Sequence, residues 1–249
     1  MRVDTEGRVE LFRARVGSHN YNLQDENSDE DWKVFVLPSF DDLYEGSTYS
    51  SPNYISEELD YSVKDIRFFG KQVWKANITF LEVLYSDKVI INPELSEETK
   101  TLIEKIFEMR DRLVRVNLVN MYEACIGMHK QRIKAMPKGS ASTKHLKEKY
   151  GYCTKNAMHS YRYLDFICRF AMTGNFEKAL RYEDDTIKRY ILGIKQGVLG
   201  TQEEAKNNLD RCCDTVEMFM KPRYKTKEPD METMEELNKL IKEIVRVNQ

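Results

Sequence analysis

The chain has 249 residues, of which 41% are hydrophobic and 32% charged, and its formal net charge is −2. These values predict a globular protein that is long enough to bury a sizeable core. The sequence has no run of 18 apolar residues and no apolar signal region near Met1, and its five cysteines form no Cys-x-x-Cys pair. We therefore expect a cytoplasmic protein without membrane contact.

Two strands are predicted first along the chain. Residues 8–16 predict a strand that ends at Gly17, and residues 29–37 alternate between polar and apolar side chains as far as Pro38. The apolar face of this second strand carries Trp32, Val34 and Val36, and its polar face carries Asp29, Asp31 and Lys33. Because successive side chains on a strand point to opposite faces, the polar set is expected to lie together, away from the core.

The next segments predict a loop, a strand and a helix. Residues 39–56 are rich in Ser, Tyr, Asp, Pro and Gly, which is typical of a loop. Residues 58–63 alternate again, with Glu58 and Asp60 on the polar face. Helical spacing of apolar residues then begins at Ile66 and ends near Ala76.

The remainder of the chain predicts helices. One helix is capped by Ser96, one covers about residues 117–136, one runs from a cap at Thr154 to Gly174, and one starts with a capping box at Thr201 and Glu204. Residues 221–230 predict a linker before a last helix. The predicted fold class is therefore α+β: an α/β domain with a small mixed sheet over residues 1–92 and a helical domain over residues 93–249.

Gly17 and Ser18 form a candidate phosphate-binding turn. A glycine leaves the backbone N–H groups of a turn open to close approach, because it has no side chain. Those amides and the Ser18 hydroxyl are suited to phosphate oxygens. Lys33, on the polar face of the following strand, is a further candidate for a phosphate contact.

Asp29 and Asp31 are candidate metal ligands. Two carboxylates that share one face of a strand repel each other unless a cation lies between them, and Mg²⁺ is commonly bound by a few carboxylates together with substrate phosphates. Asp60, on the polar face of the next predicted strand, is the expected third ligand, and Glu58 is the alternative. We expect Mg²⁺ or Mn²⁺ here, arranged to hold a triphosphate and to activate an acceptor hydroxyl. Asp60 is also a candidate acceptor for the hydroxyl proton.

The segment from Gly17 to Val36, GSHNYNLQDENSDEDWKVFV, resembles the signature of the DNA polymerase beta superfamily of nucleotidyltransferases. More narrowly, it is similar to the RNA-repair-associated, RlaP-type predicted nucleotidyltransferases of bacteria and phages. The shared pattern is Gly-Ser, a Tyr-x-Leu stretch, Ser-Asp-x-Asp and a hydrophobic strand. The chain departs from it at His19-Asn20 and at Lys33, neither of which replaces a metal ligand.

The resemblance extends over nearly the whole chain. The segment from Asn77 to Ser86 resembles an Asn-Pro-x-x-x-Glu-x-Leu motif of that family, with Ile78 in place of proline. A later segment resembles a Lys-x-Ala-x-His-x-x-Arg helix, which makes Lys155, His159 and Arg162 candidate nucleotide-binding residues. The resemblance implies a polymerase-beta-like nucleotidyltransferase that uses an NTP and releases pyrophosphate.

Three classes of molecule could provide the hydroxyl that accepts the nucleotide: RNA, a protein and a small molecule. Residues 126–155 contain eight Lys or Arg and a single Glu, which favours RNA as the acceptor, in line with the resemblance. A protein hydroxyl or a small molecule is the alternative acceptor. A catalytically silent binding protein of the same fold, such as an antitoxin-like or regulatory module, is the alternative function.

Overall fold

The computed structural model describes residues 3–26, 28–51, 54–55 and 59–249. The chain divides into two compact units, one formed by Met1–Asn117 with Pro229–Gln249 and the other by Leu118–Glu228. These units do not coincide with residues 1–92 and 93–249, because residues 93–117 and the C-terminal residues both belong to the first unit. The functional division at residue 92 stays a prediction.

The first unit contains a five-stranded mixed sheet within the part of the chain that is described. Its strands are Glu10–Val16 (β1), Glu30–Val36 (β2), Tyr54–Ile55 (β3), Leu59–Asp65 (β4) and Val89–Ile91 (β5). Their order across the sheet is β3-β4-β2-β1-β5. Strands β2 and β4 are parallel, and the other neighbours are antiparallel. Since helices follow this sheet and fill the second unit, the predicted α+β fold class is confirmed.

The alternation along β2 gives the sheet two different faces. Trp32, Val34 and Val36 are buried together with Tyr61 and Val63 of β4, so the predicted apolar face is confirmed. The opposite face is also apolar at its far end. There Phe35 stacks on Phe12 with ring centroids 4.7 Å apart and meets Phe69 and Phe80 edge to face. Aromatic pairs of this kind contribute beyond the area they bury.

Helices complete the first unit. They are Phe40–Tyr44 (α1), Arg67–Lys75 (α2), Ile78–Leu81 (α3), Glu97–Glu108 (α4), Arg110–Leu113 (α5) and Met231–Val247 (α12), with a 3-10 turn at Glu82–Tyr85. Helix α12 packs against α2 and α4 through buried Leu237, Ile241 and Ile244. The predicted cap at Ser96 is confirmed, since its side chain accepts a hydrogen bond from the N–H of Thr99 at 3.2 Å.

The second unit is helical over its whole length. Its helices are Leu118–Ala135 (α6), Lys144–Tyr150 (α7), Thr154–Thr173 (α8), Phe176–Leu180 (α9), Asp185–Lys195 (α10) and Gln202–Lys225 (α11). Helix α8 lies at the centre and packs against α6, α9, α10 and α11. The capping box at Thr201 and Glu204 is confirmed. No helix in the described part of the chain is long and apolar enough to cross a membrane.

Three local predictions are wrong. The segment 39–56 is not all loop, because a capping box of Ser39 and Asp42 starts helix α1 and β3 follows. Thr154 is not a cap but the first residue of α8, and its hydroxyl donates to the Lys195 carbonyl at 2.6 Å. Residues 221–230 are not all linker, since α11 continues past Pro222 to Lys225.

Helix α11 tolerates Pro222 because its last turn is held by tertiary contacts. A proline inside a helix removes one backbone hydrogen bond and crowds the preceding turn. Beyond it, the hydroxyl of buried Tyr224 donates to the Ile167 carbonyl at 3.2 Å, and its ring stacks on Tyr122. Packing therefore outweighs the local preference for a helix end.

Asp42 is a buried carboxylate that supports the start of β1. It accepts hydrogen bonds from Nε and Nη2 of Arg8 at 2.7 and 2.9 Å, and from the backbone N–H of Ser39 at 2.8 Å. The hydrogen bonds from Arg8 hold the pKa of Asp42 well below its ordinary value. A carboxyl group with a lowered native pKa stabilises the fold above its unfolded pKa, and this contribution is lost as the pH falls towards the native pKa.

We expect Asp42→Asn to lower the free energy of unfolding at pH 7 by about 1–3 kcal/mol, because the partly buried guanidinium of Arg8 loses a charged acceptor. The difference between variant and wild type should shrink as the pH falls below about 4, where the unfolded carboxyl group begins to protonate. Urea denaturation at pH 7 and pH 3.5 measures both effects. Asp41→Asn, at the exposed neighbouring position, is the control, and equal effects of the two substitutions would contradict the assignment.

Candidate active site

The candidate active site lies where the turn after β1 meets the first residues of β2 and β4. In the sheet register, Asp31 of β2 pairs with Asp60 of β4 on one side and with Val16 of β1 on the other. Residues paired across neighbouring strands point to the same face, and the strands are about 4.8 Å apart. The structure therefore brings the predicted residues Asp31 and Asp60 together as adjacent carboxylates.

Gly17 packs directly against Asp31. Its φ is +76°, a left-handed conformation that L side chains rarely adopt. A Cβ atom at this position would overlap Oδ2 of Asp31 and lie 2.9 Å from its Cγ. The glycine is therefore required both by the backbone and by the carboxylate that it adjoins.

Asp29, which was predicted to lie on the second strand, directly precedes that strand in the structure. Strand β2 begins at Glu30, so Asp29 precedes the ladder and has no strand partner among the residues that the structure describes. Among the described residues, no three His, Cys, Asp or Glu side chains form a group that could hold a metal ion. Glu58, the alternative third ligand, lies outside the described residues. The assembled part of the expected metal set is thus the pair Asp31 and Asp60.

Glu82, the glutamate of the motif that begins at Asn77, is a central residue that the sequence analysis did not name as a site residue. Its carboxylate, 2% exposed, accepts hydrogen bonds from the N–H of Gly17 at 3.0 Å and from the hydroxyl of Tyr21 at 2.6 Å. The side-chain amide of buried Asn20 donates to the Glu82 carbonyl at 3.1 Å. These three bonds fix the turn that carries Ser18.

The Glu82 contacts change the expected role of Gly17. The Gly17 N–H already donates to Glu82, so it is occupied within the fold rather than directed to a phosphate. Ser18, which is partly buried, is then the residue of the pair that stays a candidate for a phosphate contact. Its carbonyl accepts from the N–H of Leu23 at 3.0 Å, which closes the turn.

Asn77 explains how Glu82 reaches this position. Its side chain caps α3 by accepting from the N–H of Thr79 at 3.0 Å, and the 3-10 turn that begins at Glu82 follows α3 directly. Ile78 occupies the first helical position, where proline is also well tolerated because no intrahelical donor is needed there. Asn77 and Glu82 therefore lie directly before and directly after the four residues of α3. The signal for Glu82 in the sequence was that it is the only charged residue in the otherwise mainly apolar segment 78–85.

Lysines lie on the same face as the carboxylate pair. Lys33 follows Asp31 by two residues, and its Nζ is 3.9 Å from Oε1 of Glu82. Lys64 lies further along β4, where burial and then the charge of Lys33 lower its pKa. This face thus combines two carboxylates at one end with a cation two residues away, a pattern suited to a metal ion and a phosphate group together.

Glu30 marks the opposite face of β2. It accepts from Nη1 of Arg15 at 2.8 Å and from Nε1 of Trp32 at 3.2 Å. The three acids of the Asp-Glu-Asp sequence therefore differ in environment although they are adjacent. This makes Glu30 a natural control for substitutions of Asp31.

The predicted nucleotide-binding residues of the second unit lie on α8. Lys155 is exposed, His159 is partly buried, and Arg162 is 5% exposed. Nη1 of Arg162 lies 3.2 Å from Nδ1 of His159, so these two predicted residues are in contact. Burial, followed by the positive charges of Arg162 and Arg132, lowers the pKa of His159 well below its ordinary value.

The carboxylate pair fits a divalent metal ion in its chemistry. Two neighbouring carboxylates disfavour each other's ionisation unless a cation is shared between them. The carboxylate oxygens of Asp31 and Asp60 are ligands of the kind that Mg²⁺ and Mn²⁺ prefer. Gly17 leaves the space beside Asp31 without a side chain.

No protein-family model matches the chain, and no curated protein matches it in sequence. Among solved structures, the chain is similar to a nucleotidyltransferase-like protein from Exiguobacterium sibiricum 255-15. The two are 10% identical, with a TM-score of 0.29, over 87% of this chain and 70% of the other. Similarity at this level supports no conclusion, so the function rests on the geometry of the site.

We expect Gly17→Ala to destabilise the protein more than a matched substitution at Gly46. Both glycines have a positive φ, +76° and +67°, but only Gly17 has the Asp31 carboxylate where a Cβ would lie, whereas Gly46 has open space. Left-handed backbone costs an alanine about 1–2 kcal/mol at either position, and the overlap at Gly17 adds about 1–3 kcal/mol. Urea denaturation of the two variants measures the difference. Equal losses of unfolding free energy would show that Asp31 does not pack against Gly17.

Proposed function

We propose that the protein is a metal-dependent nucleotidyltransferase, which transfers a nucleoside monophosphate from an NTP to an acceptor hydroxyl. The observation that carries this proposal is the in-register pairing of Asp31 with Asp60 beside the turn at Gly17. Adjacent carboxylates next to a phosphate-binding turn are the arrangement that phosphoryl transfer requires, since its main demands are positioning and charge compensation.

Asp31 and Asp60 would hold Mg²⁺ or Mn²⁺, and Asp29 would complete the set from the segment before β2. When bound, the metal would compensate the charge of the triphosphate and of the leaving pyrophosphate and favour the deprotonated acceptor. Asp29 is partly buried and adjoins the strand that bears Asp31. A small movement of the segment before β2 is therefore part of this proposal.

The protein's own residues have separate roles in the proposed reaction. The Ser18 hydroxyl and backbone N–H bind phosphate oxygens, and Lys33 offsets phosphate charge on the same face. Attack of the acceptor oxygen on the α-phosphorus forms one P–O bond while the bond to the bridging oxygen breaks, and pyrophosphate leaves. Asp60 accepts the proton of the acceptor hydroxyl. Glu82 positions the turn and does not contact the substrate.

Lys155, His159 and Arg162 are the proposed nucleotide contacts of the second unit. They follow one face of α8 at spacings of four and three residues. RNA is the proposed acceptor, supported by the basic segment 126–155, and a protein or small-molecule hydroxyl is the alternative. We propose that the reaction takes place in the cytoplasm.

A binding protein that keeps this fold without catalysis is the second candidate. The observation in its favour is that Asp29 is not grouped with Asp31 and Asp60 among the described residues. Such a protein would bind its ligand without releasing pyrophosphate. The two candidates are therefore separated by a single assay of turnover.

We expect Asp31→Asn and Asp60→Asn each to reduce label transfer at least about 100-fold, because each removes a charge that would hold the metal. The assay incubates the full chain with each α-labelled NTP, Mg²⁺ or Mn²⁺, and total RNA or cell extract, and follows both label and pyrophosphate. Glu30→Gln, on the opposite face of β2, should retain activity within a few-fold. Transfer that persists in the Asp31→Asn, Asp60→Asn double variant would refute the proposal, and an inactive wild type would favour the binding protein.

A further inference from the structure

The carboxylate of Glu82 contacts two separate parts of the candidate active site. Its Oε2 accepts from the Gly17 N–H in the turn after β1, and its Oε1 lies 3.9 Å from Nζ of Lys33 on β2. The Tyr21 hydroxyl donates to the same Oε1 at 2.6 Å. One buried acid therefore joins the turn to a lysine on the face of the sheet that carries the carboxylate pair.

The contact between Lys33 and Glu82 is electrostatic and is not fixed by a hydrogen bond. A separation of 3.9 Å is an ion-pair distance, but it exceeds the range of about 2.7–3.2 Å for an N–H···O hydrogen bond. The side chain of Lys33 is 20% exposed, whereas that of Glu82 is 2% exposed. The acid is thus fixed in the interior, and the ammonium group on its flexible side chain is the partner that can move.

Glu82 keeps its hydrogen bonds when Lys33 moves away. The Gly17 N–H donates to one of its carboxylate oxygens and the Tyr21 hydroxyl donates to the other. A buried carboxylate destabilises a fold chiefly when its oxygens lack donors. Departure of Lys33 therefore removes the attraction of one charge and leaves both oxygens with a donor.

The position of Lys33 suits it to contact a ligand as well as Glu82. It follows Asp31 by two residues on the same face of β2, so their Cα atoms are about 6.6 Å apart. Its neighbours in the sheet are Ala14 of β1 and Ser62 of β4, neither of which is acidic. Among the residues that the structure describes, Glu82 is the only ion-pair partner of Lys33. A phosphate in the candidate active site would thus compete with a single carboxylate for this cation.

We propose that Glu82 is a positioning residue that acts through Lys33, which it holds while the site is empty and releases to a phosphate of the NTP when the nucleotide binds. The inference rests on the proposed function for the identity of the ligand. Lys33 is one of the positions at which the chain departs from the family that it resembles, so the resemblance does not imply this contact. Glu82 consequently competes with the substrate, because its attraction for Lys33 must be overcome before Lys33 contributes to binding.

Glu82→Gln separates the two contacts of the carboxylate. Its amide oxygen can accept from the Gly17 N–H, and its amide nitrogen can donate to the Tyr21 oxygen, because a hydroxyl serves as donor or acceptor. The turn is retained while the attraction for Lys33 is lost. In calorimetric titration with inorganic triphosphate in EDTA, which removes bound metal, we expect the affinity to rise about fivefold, the upper end of the range for ion pairs near a surface. Structural damage alone would lower the affinity.

A double-mutant cycle shows whether this gain depends on Lys33. The charge of Glu82 also repels a phosphate directly, and Glu82→Gln relieves that repulsion whether or not Lys33 is present. We expect the substitution to raise triphosphate affinity in the wild-type background but to change it less than about twofold in the Lys33→Met background. Equal gains in the two backgrounds would overturn the exchange, since direct repulsion would then explain both.

Lys64→Met is the matched control background. Lys64 lies on the same face of the sheet as Lys33, and its Nζ donates to Oγ of Ser50 at 2.5 Å and forms no ion pair with Glu82. Glu82→Gln should therefore raise triphosphate affinity in this background as it does in the wild type. Loss of the gain here as well would overturn the assignment to Lys33.

Urea denaturation of the same proteins checks that they fold and measures the ion pair directly. Without ligand, Glu82→Gln and Lys33→Met should show a coupling in unfolding free energy that disappears at saturating triphosphate. Coupling that persists unchanged would overturn the release of Lys33. Lys33→Met alone should weaken triphosphate binding at least about threefold, and an unchanged affinity would overturn the proposal even if Glu82→Gln does not fold.

The label-transfer assay separates this proposal from the enzymatic one. The expected changes in triphosphate affinity without any label transfer would leave the exchange at Glu82 standing and refute the nucleotidyltransferase. Label transfer by the wild type without detectable triphosphate binding in EDTA would overturn the exchange and leave the enzyme standing.

Discussion

The parallel register of β2 and β4 determines which side chains meet at the candidate active site. It pairs Asp31 with Asp60 and, one position further, Trp32 with Tyr61. Because side chains alternate between the faces of a sheet, a slip by one residue would exchange a carboxylate for an aromatic ring. The buried cluster on one face therefore fixes the carboxylate pair on the other, and core packing and site geometry share one constraint.

The register alone would leave the turn after β1 unsupported. That turn contains Gly17 in a left-handed conformation, and the Gly17 N–H donates a hydrogen bond to the buried carboxylate of Glu82. A buried carboxylate is stable when several donors satisfy its oxygens, and Glu82 accepts from a backbone amide and a tyrosine hydroxyl. The acid thus serves the site through the backbone, in contrast to Asp31, whose Oδ2 lies where a Cβ of Gly17 would be.

The sequence predicts structure well where it depends on a repeating local pattern, and poorly where it depends on contacts between residues distant in the chain. Alternation in residues 29–37 predicted the apolar face of β2 correctly, because successive side chains on a strand point to opposite faces. It could not predict which strand lies beside β2, nor that the ladder begins at Glu30 and excludes Asp29. Phe35 lies on the predicted polar face of β2 but is apolar and buried, because α2 and α3 cover that end of the sheet. The hydrogen bonds of Glu82 involve residues 61 to 65 positions away in the chain, which no local pattern records.

Residues of the second unit illustrate the same limit of local patterns. The spacing of Lys155, His159 and Arg162 was visible in the sequence, whereas the hydrogen bond between Arg132 and Asn156 depends on the packing of α6 against α8. Residues 221–230, which include Pro222, were expected to form a linker, but α11 continues to Lys225 and Tyr224 makes tertiary contacts there. In each case a long-range contact outweighs a preference that is local.

The return of α12 to the first unit has a consequence for the order of folding. Leu118–Glu228 form a compact unit on a continuous stretch of chain, whereas the first unit needs Pro229–Gln249 as well as its N-terminal part. During synthesis, the ribosome delivers the whole second unit before α12 emerges. The surfaces of α2 and α4 that α12 covers therefore stay exposed during synthesis. Meanwhile the second unit, which lies in the chain between the two segments of the first unit, can fold completely. Maturation of the candidate active site is accordingly a late event, and nascent chains should depend on protection of that apolar surface until α12 has emerged from the ribosome.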